Sequence, residues 1–219
     1  MAANGFSNQV EAYNDWKQGL IDEIGRYREW LSDNGLASED IQQRLARGCK
    51  MLQDDHLTIA FVGEYSRGKT ELINALIFAE FGQRMLPSQA GRTTMCPTEI
   101  FYDPQRSSNY LRLLPIETRL QNLSIADLKN DPSAWHEIVI DSNDPDQMSF
   151  SLQQVAKSRS ATIDEAKALG FDVSLLEKVK GHDNEVFIPA WRHALISLDS
   201  PLLRQGLRVL DTPGLNALG

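Results

Sequence analysis

Leu57-Thr58-Ile59-Ala60-Phe61-Val62-Gly63-Glu64-Tyr65-Ser66-Arg67-Gly68-Lys69-Thr70 is the stretch from which the fold is read. The apolar run Leu57 to Val62 has no in-out alternation and ends on a glycine, which suits a strand buried on both faces of a parallel sheet. Gly63 to Thr70 then fits a phosphate loop: glycine, four residues, glycine, lysine and threonine. The glycines let the backbone N–H groups of Glu64, Tyr65, Ser66, Arg67 and Gly68 fold into a nest around phosphate oxygens. Lys69 reaches the terminal phosphates, and the Thr70 hydroxyl serves Mg²⁺. A helix is expected from Gly68 to about Phe81, with Leu72, Ile73, Leu76 and Ile77 facing inward and its start adding positive dipole at the phosphates. The competing bland reading is a glycine turn beside a solvated lysine. The strand before the loop and the helix after it argue against that.

Working toward the carboxyl end, residues 82–97 are rich in Gly, Pro, Ser and Thr and read as a long loop. Short strands are predicted at Glu99 to Tyr102 and Tyr110 to Pro115, and again at Arg192 to Leu198 and Leu207 to Leu210. Residues 117–190 read as mostly helical, with Ser124, Ser133 and Ser160 as candidate caps and Asp141 to Pro145 as a break. Asp211-Thr212-Pro213-Gly214 follows the last strand. In open α/β sheets ligands bind at strand carboxyl ends, so Asp211 is placed to hold Mg²⁺ and the Gly214 N–H to meet a γ-phosphate. A third element, a threonine of a mobile loop, is expected between the two motifs, with Thr93, Thr94 and Thr98 as candidates.

Toward the amino end, Val10, Tyr13, Trp16, Leu20, Ile24, Tyr27 and Leu31 recur every three or four residues, one face of a helix. Asp33-Asn34-Gly35 ends it, and Ser38 caps a second helix along Ile41, Leu45, Cys49 and Leu52. Residues 1–56 thus form a helical hairpin, and residues 57–219 a nucleotide domain interrupted by an insertion at about 117–190. The fold class is α/β: a P-loop NTPase with an incomplete doubly wound sheet, an N-terminal helical hairpin and a helical insertion. The sheet is expected to have an open edge beyond Leu207 to Leu210.

The net charge of −8 repels a phosphate backbone, which excludes direct nucleic-acid binding. Ten of the 30 acidic residues lie in the hairpin, which disfavours an anionic lipid surface for its aromatic stripe. The two cysteines and four histidines lack metal-ligand spacing. No run of apolar residues is long enough to span a bilayer, and no secretory signal opens the chain, so a cytoplasmic location is expected. Gln147-Met148-Ser149-Phe150 faintly matches a peptide that docks on bacterial replication clamps, but a helix start is the commoner meaning of such a sequence.

Together, Gly63 to Thr70, Glu71-Leu72-Ile73-Asn74-Ala75-Leu76, Leu86-Pro87 to Glu99, and Leu210 to Asn216 resemble the amino-terminal GTPase region of dynamin-like proteins, the bacterial members most of all. The resemblance covers residues 57–102 and 191–218 well and the remainder weakly. It implies GTP and Mg²⁺ as ligands, GTP hydrolysis coupled to self-association through the GTPase domain, and peripheral contact of the full-length protein with a membrane. Within it, Thr94, three residues before Pro97, is the switch threonine that joins Thr70 and Asp211 on Mg²⁺. Ser66 helps place the attacking water, with Arg67 as a second candidate for stabilising transition-state charge beside Lys69. Leu215 stands where small signalling GTPases carry a water-orienting glutamine. No N/T-K-x-D guanine motif follows Gly214, so the chain reads as part of a longer protein and the choice of guanine rests on the resemblance. A different reading is a nucleotide-dependent scaffold that recruits a partner through residues 117–190.

Overall fold

The computed structural model describes residues 2–53, 56–64, 67–79, 85–87 and 96–214. The chain divides into two compact units, residues 1–57 with 205–207 and residues 58–204 with 208–219.

The first unit is built on a helical hairpin, α1 (Ala2–Asp33) and α2 (Glu39–Gln53). Gly35 ends α1 at φ 64°, a left-handed conformation that costs glycine nothing. The Leu36 N–H closes the turn on the Leu31 carbonyl at 2.9 Å. Ser38 caps α2 as expected, its hydroxyl accepting from the Ile41 N–H. Leu31 is buried, and Gln42 and Arg28 bridge the two helices, with Arg28 Nε donating to Gln42 Oε1 at 2.9 Å. Tyr13, Trp16, Tyr27 and Trp30 stay about half exposed.

The second unit centres on a six-stranded sheet. Its strands are β1 (Leu57–Phe61), β2 (Thr98–Phe101), β3 (Asn109–Pro115), β4 (His136–Ile140), β7 (Trp191–Ser197) and β8 (Leu207–Asp211). Their order is β1-β8-β2-β7-β3-β4. β2 and β7 run parallel, whereas β2 with β8, β3 with β7 and β3 with β4 are antiparallel. The sheet is therefore mixed. Two expectations change here. β8 lies between β1 and β2, so it is not an edge; β1 ends the sheet. Separately, β1 is not buried on both faces: Leu57 is 51% and Ile59 39% exposed. An apolar run reports that a strand wants cover but not which neighbours supply it.

Helix α3 spans Lys69–Ile77, shorter than predicted at its carboxyl end. Ile73 and Ile77 point inward with Asn74, while Leu72 and Leu76 are half exposed. The inward face is thus offset from the predicted one.

The prediction of a mostly helical 117–190 segment is corrected. Besides α4 (Ile125–Lys129), α5 (Pro145–Gln153) and α6 (Ile163–Ala168), the segment contains β4, which extends the main sheet, and a separate antiparallel pair, β5 (Ser158–Thr162) with β6 (Glu185–Pro189). The β5–β6 pair shares a core of Ile116, Ala166, Leu169, Phe171, Val186 and Ile188. Each helix here has at most nine residues, too short for helical periodicity to emerge against alternating strands. Ser124 caps α4 in a reciprocal capping box with Asp127. Ser133 instead donates its N–H to the Asp131 carboxylate, and Ser160 sits within β5, where Thr162 is the cap of α6. Asp144 caps α5 where the break was expected. Gln147 is spent on the β4 edge: its Nε2 donates to the Val139 carbonyl at 3.0 Å, and its Oε1 accepts from the Asp141 N–H. With Met148 fully buried in α5, Gln147 to Phe150 does not present the extended peptide that clamp docking needs.

Candidate nucleotide site

The strand–loop–helix order places Gly63 and Glu64 directly after β1 and opens α3 at Lys69. Gly68, the residue before α3, is left-handed at φ 80° and contributes no side-chain cap. The first N–H groups of α3 therefore have no capping side chain, and a helix start of that kind favours an anion. Lys69 folds back over the loop, its ammonium donating to the carbonyls of Gly63 and Glu64 at 3.0 Å each. A cation held there by two neutral carbonyls is readily transferred to phosphate oxygens, which bind it more strongly.

Asp211 ends β8 and is 1% exposed. The Thr70 hydroxyl donates to its Oδ2 at 2.9 Å, joining residues 141 positions apart. Both donors are hard oxygens, the set Mg²⁺ takes, and Mg²⁺ usually keeps its remaining ligands for water and phosphate. Among the described residues no group of three or more His, Cys, Asp or Glu side chains forms a metal cage. The Thr70 hydroxyl and Asp211 carboxylate fit a Mg²⁺ that takes its remaining ligands from water and phosphate.

Gly214 is buried, and Thr212 ties this turn to β1 by donating to the Phe61 carbonyl at 2.7 Å. Arg67 lies on the outside: its Nε and Nη2 reach Glu64 Oε2 at 3.1 and 3.0 Å, and both side chains are largely exposed. Tyr65, Ser66, Thr93 and Thr94 lie outside the described residues. Thr98 is a buried strand residue of β2, paired in register with Asp211, and its hydroxyl is engaged with the Cys96 carbonyl at 3.1 Å. Burial pushes the Cys96 thiol up to about 12, against the lowering charge of Arg119, so it stays protonated and unreactive.

Sequence reading missed three contributors. Leu86 and Pro87 line a narrow crevice with Thr70, Thr98 and Asp211, and Val155 and Ala156 of the 117–190 segment close it from another side. Asn74 holds Leu86 there through its side-chain amide. The only signal for Asn74 in the sequence is a polar residue on an otherwise inward, apolar face of a helix.

No curated protein matches the chain. Two solved structures of an oligomerised bacterial dynamin pair, described as a mechanism for long-range sensing and tethering of membranes, are 18% and 17% identical to it, with TM-scores of 0.43 and 0.42. The matches cover 94% and 93% of this chain but only 24% and 25% of those structures, so the chain spans about a quarter of their length. The sequence model of the dynamin family matches residues 59–218, from inside β1 through the Asp211 turn. With the phosphate loop, Thr70 and Asp211 brought together at the end of the sheet, the chain belongs to the dynamin family, a family of GTPase type.

Proposed function

We propose that this chain binds GTP with Mg²⁺ and hydrolyses it as part of a longer dynamin-like protein whose turnover depends on self-association. The observation that carries the reading is the 2.9 Å bond between Thr70 and Asp211, set beside Lys69. The bond brings the helix-start threonine of one motif and the strand-end aspartate of the other to one point, where a single ligand could use both.

In this reading Lys69 leaves the Gly63 and Glu64 carbonyls for the β- and γ-phosphates, and the loop N–H groups and the start of α3 hold the remaining oxygens. Thr70 and Asp211 hold Mg²⁺, which supplies positive charge against the transferring phosphoryl group. The Gly214 N–H senses the γ-phosphate, Thr94 closes on the metal, and Ser66 orients the water once two GTPase domains face each other. Arg67, turned outward to Glu64, acts only if that contact opens, which makes Ser66 the stronger candidate.

Self-association and peripheral membrane contact belong to the full-length protein. Among the described residues no helix is long and apolar enough to cross a membrane. A second reading, a nucleotide-dependent scaffold acting through residues 117–190, is favoured by one feature: Val155 and Ala156 touch the crevice at Thr70 and Asp211, so that segment can sense the ligand.

Competition binding in the full-length protein tests the proposal, with GTP displacing a labelled triphosphate and ATP failing to do so. Phosphate release that rises more than linearly with protein concentration supports assembly-dependent turnover. Binding without turnover at any concentration selects the scaffold.

A further inference from the structure

Thr70 and Asn74 stand four residues apart on one face of α3, so the helix that carries a proposed metal ligand also carries a buried amide one turn on. Asparagine is a poor choice for a helix interior, and a buried amide is costly unless it is satisfied. Asn74 is 6% exposed, and among the described residues its amide bonds to Met85 and Leu86. Its Oδ1 accepts from the Met85 and Leu86 N–H groups at 3.2 and 2.8 Å, and its Nδ2 donates to the Leu86 carbonyl at 3.0 Å. Two N–H groups facing Oδ1 and a carbonyl facing Nδ2 leave only one orientation of the amide.

Met85 and Leu86 are buried in irregular backbone, which has no ladder to satisfy its polar groups. Their apolar side chains would hold the segment down but would not fix its rotation; three bonds from one planar amide do. What that rotation sets is the wall of the crevice, because Leu86 and Pro87 line it with Thr70, Thr98 and Asp211.

We propose that Asn74 is a positioning residue of the nucleotide site, fixing the Met85–Pro87 backbone as the wall beside Thr70 and Asp211. Its loss loosens the metal side of the site and leaves the Lys69 side intact. The inference rests on the GTP and Mg²⁺ reading above.

The test uses the full-length protein with Asn74→Ala and Asn74→Leu, the second filling the volume with an apolar side chain. Hydrogen exchange at Met85 and Leu86, binding of a non-hydrolysable triphosphate with and without Mg²⁺, and steady-state hydrolysis are measured. Because two buried donors lose their acceptor, both amides are expected to exchange about ten-fold faster or more, the Mg²⁺ midpoint to rise about ten-fold and kcat to fall about ten-fold. Mg²⁺-free affinity and KM are expected to stay within about three-fold, since Lys69 is untouched. Faster exchange with an unchanged Mg²⁺ midpoint and kcat would make Asn74 a purely structural residue and overturn the proposal. Mg²⁺-free affinity falling as far as the Mg²⁺-bound value would overturn it too. If the alanine variant loses its cooperative thermal transition, the leucine variant is judged by the same criteria. Wild-type protein that binds no triphosphate would sink the reading of the site itself, and this inference with it, an outcome seen in the parent protein and not in the variants.

Discussion

Lys69, Gly68 and Thr94 are given separable roles by the proposed reading, and each is tested by its own substitution. Lys69 spends its ammonium on two loop carbonyls and is the one cation of the phosphate loop that does not turn out to solvent. Lys69→Ala in the full-length protein is expected to weaken triphosphate binding about 100-fold or more, the loss of a multiply bonded charge pair, as read by calorimetry. Gly68 sits at φ 80°, and among the described residues nothing lies within 4 Å of where a Cβ would project, so the backbone conformation sets the cost of Gly68→Ala. Left-handed backbone costs an alanine about 1–2 kcal/mol, and a drop of a few degrees in Tm is expected. An unchanged Tm would mean that the loop relaxes to another conformation. Thr94→Ala is expected to leave binding within a few fold and to remove most hydrolysis, since its contact forms only with the closed switch. Normal phosphate release by that variant would reject Thr94 as the switch residue.

At the scale of elements, Glu99 is the tie across the sheet. It lies on β2 and accepts from Lys129 of α4 at 2.5 Å and from Arg208 of β8 at 2.7 Å, with His193 of β7 3.8 Å away. Burial alone would raise its carboxyl, but the His193 imidazole and the charges of Lys129 and Arg208 outweigh burial and hold it down at about 2. A carboxyl lowered on folding stabilises the protein above its unfolded value near 4.5, and that stability is lost as pH falls from there toward 2. The shift corresponds to about 3 kcal/mol. Only part of the span from 4.5 to 2 is crossed between pH 6 and pH 3, so urea unfolding should show the wild type losing about 2 kcal/mol more than Glu99→Gln over that interval. Equal losses in both would place the acid sensitivity elsewhere. The same carboxylate joins the strand that carries Thr98 to the strand that ends at Asp211, so it braces the site without touching it.

On the scale of the whole molecule, part of the exposed apolar surface lies where the sheet ends at β1. Ile59 and Val62 at β1, and Leu72 and Leu76 on α3, are all substantially exposed, and β1 is the end strand of the sheet order. An apolar end strand is a template for pairing with another chain. The chain is therefore expected to associate in light scattering. Ile59→Lys should reduce the association, because a charge on an edge strand opposes strand pairing. A monodisperse wild-type chain would refute the expectation.

The local geometry around Gly68, Lys69, Thr70 and Asp211 was legible in the sequence, because each motif sets its own strand end or helix start. A glycine that must be left-handed, a lysine and threonine at the start of a helix, and an aspartate at the end of a strand are set by residue type and spacing alone. The hairpin, with Gly35 and Ser38 at its turn, was legible for the same reason: turn and cap chemistry is local. What only the tertiary structure decided was adjacency. Hydrophobic pattern does not encode which strand lies beside which, so β1 was read as interior and β8 as an edge when the reverse holds. Nor does it resolve short helices mixed with strands, which is why β4, β5 and β6 were missed. Asn74 shows the division in one residue. Its helix was predicted from sequence, but its role depends on a backbone segment eleven and twelve residues away coming to its amide, and on the 2.9 Å meeting of Thr70 with Asp211 beside that segment.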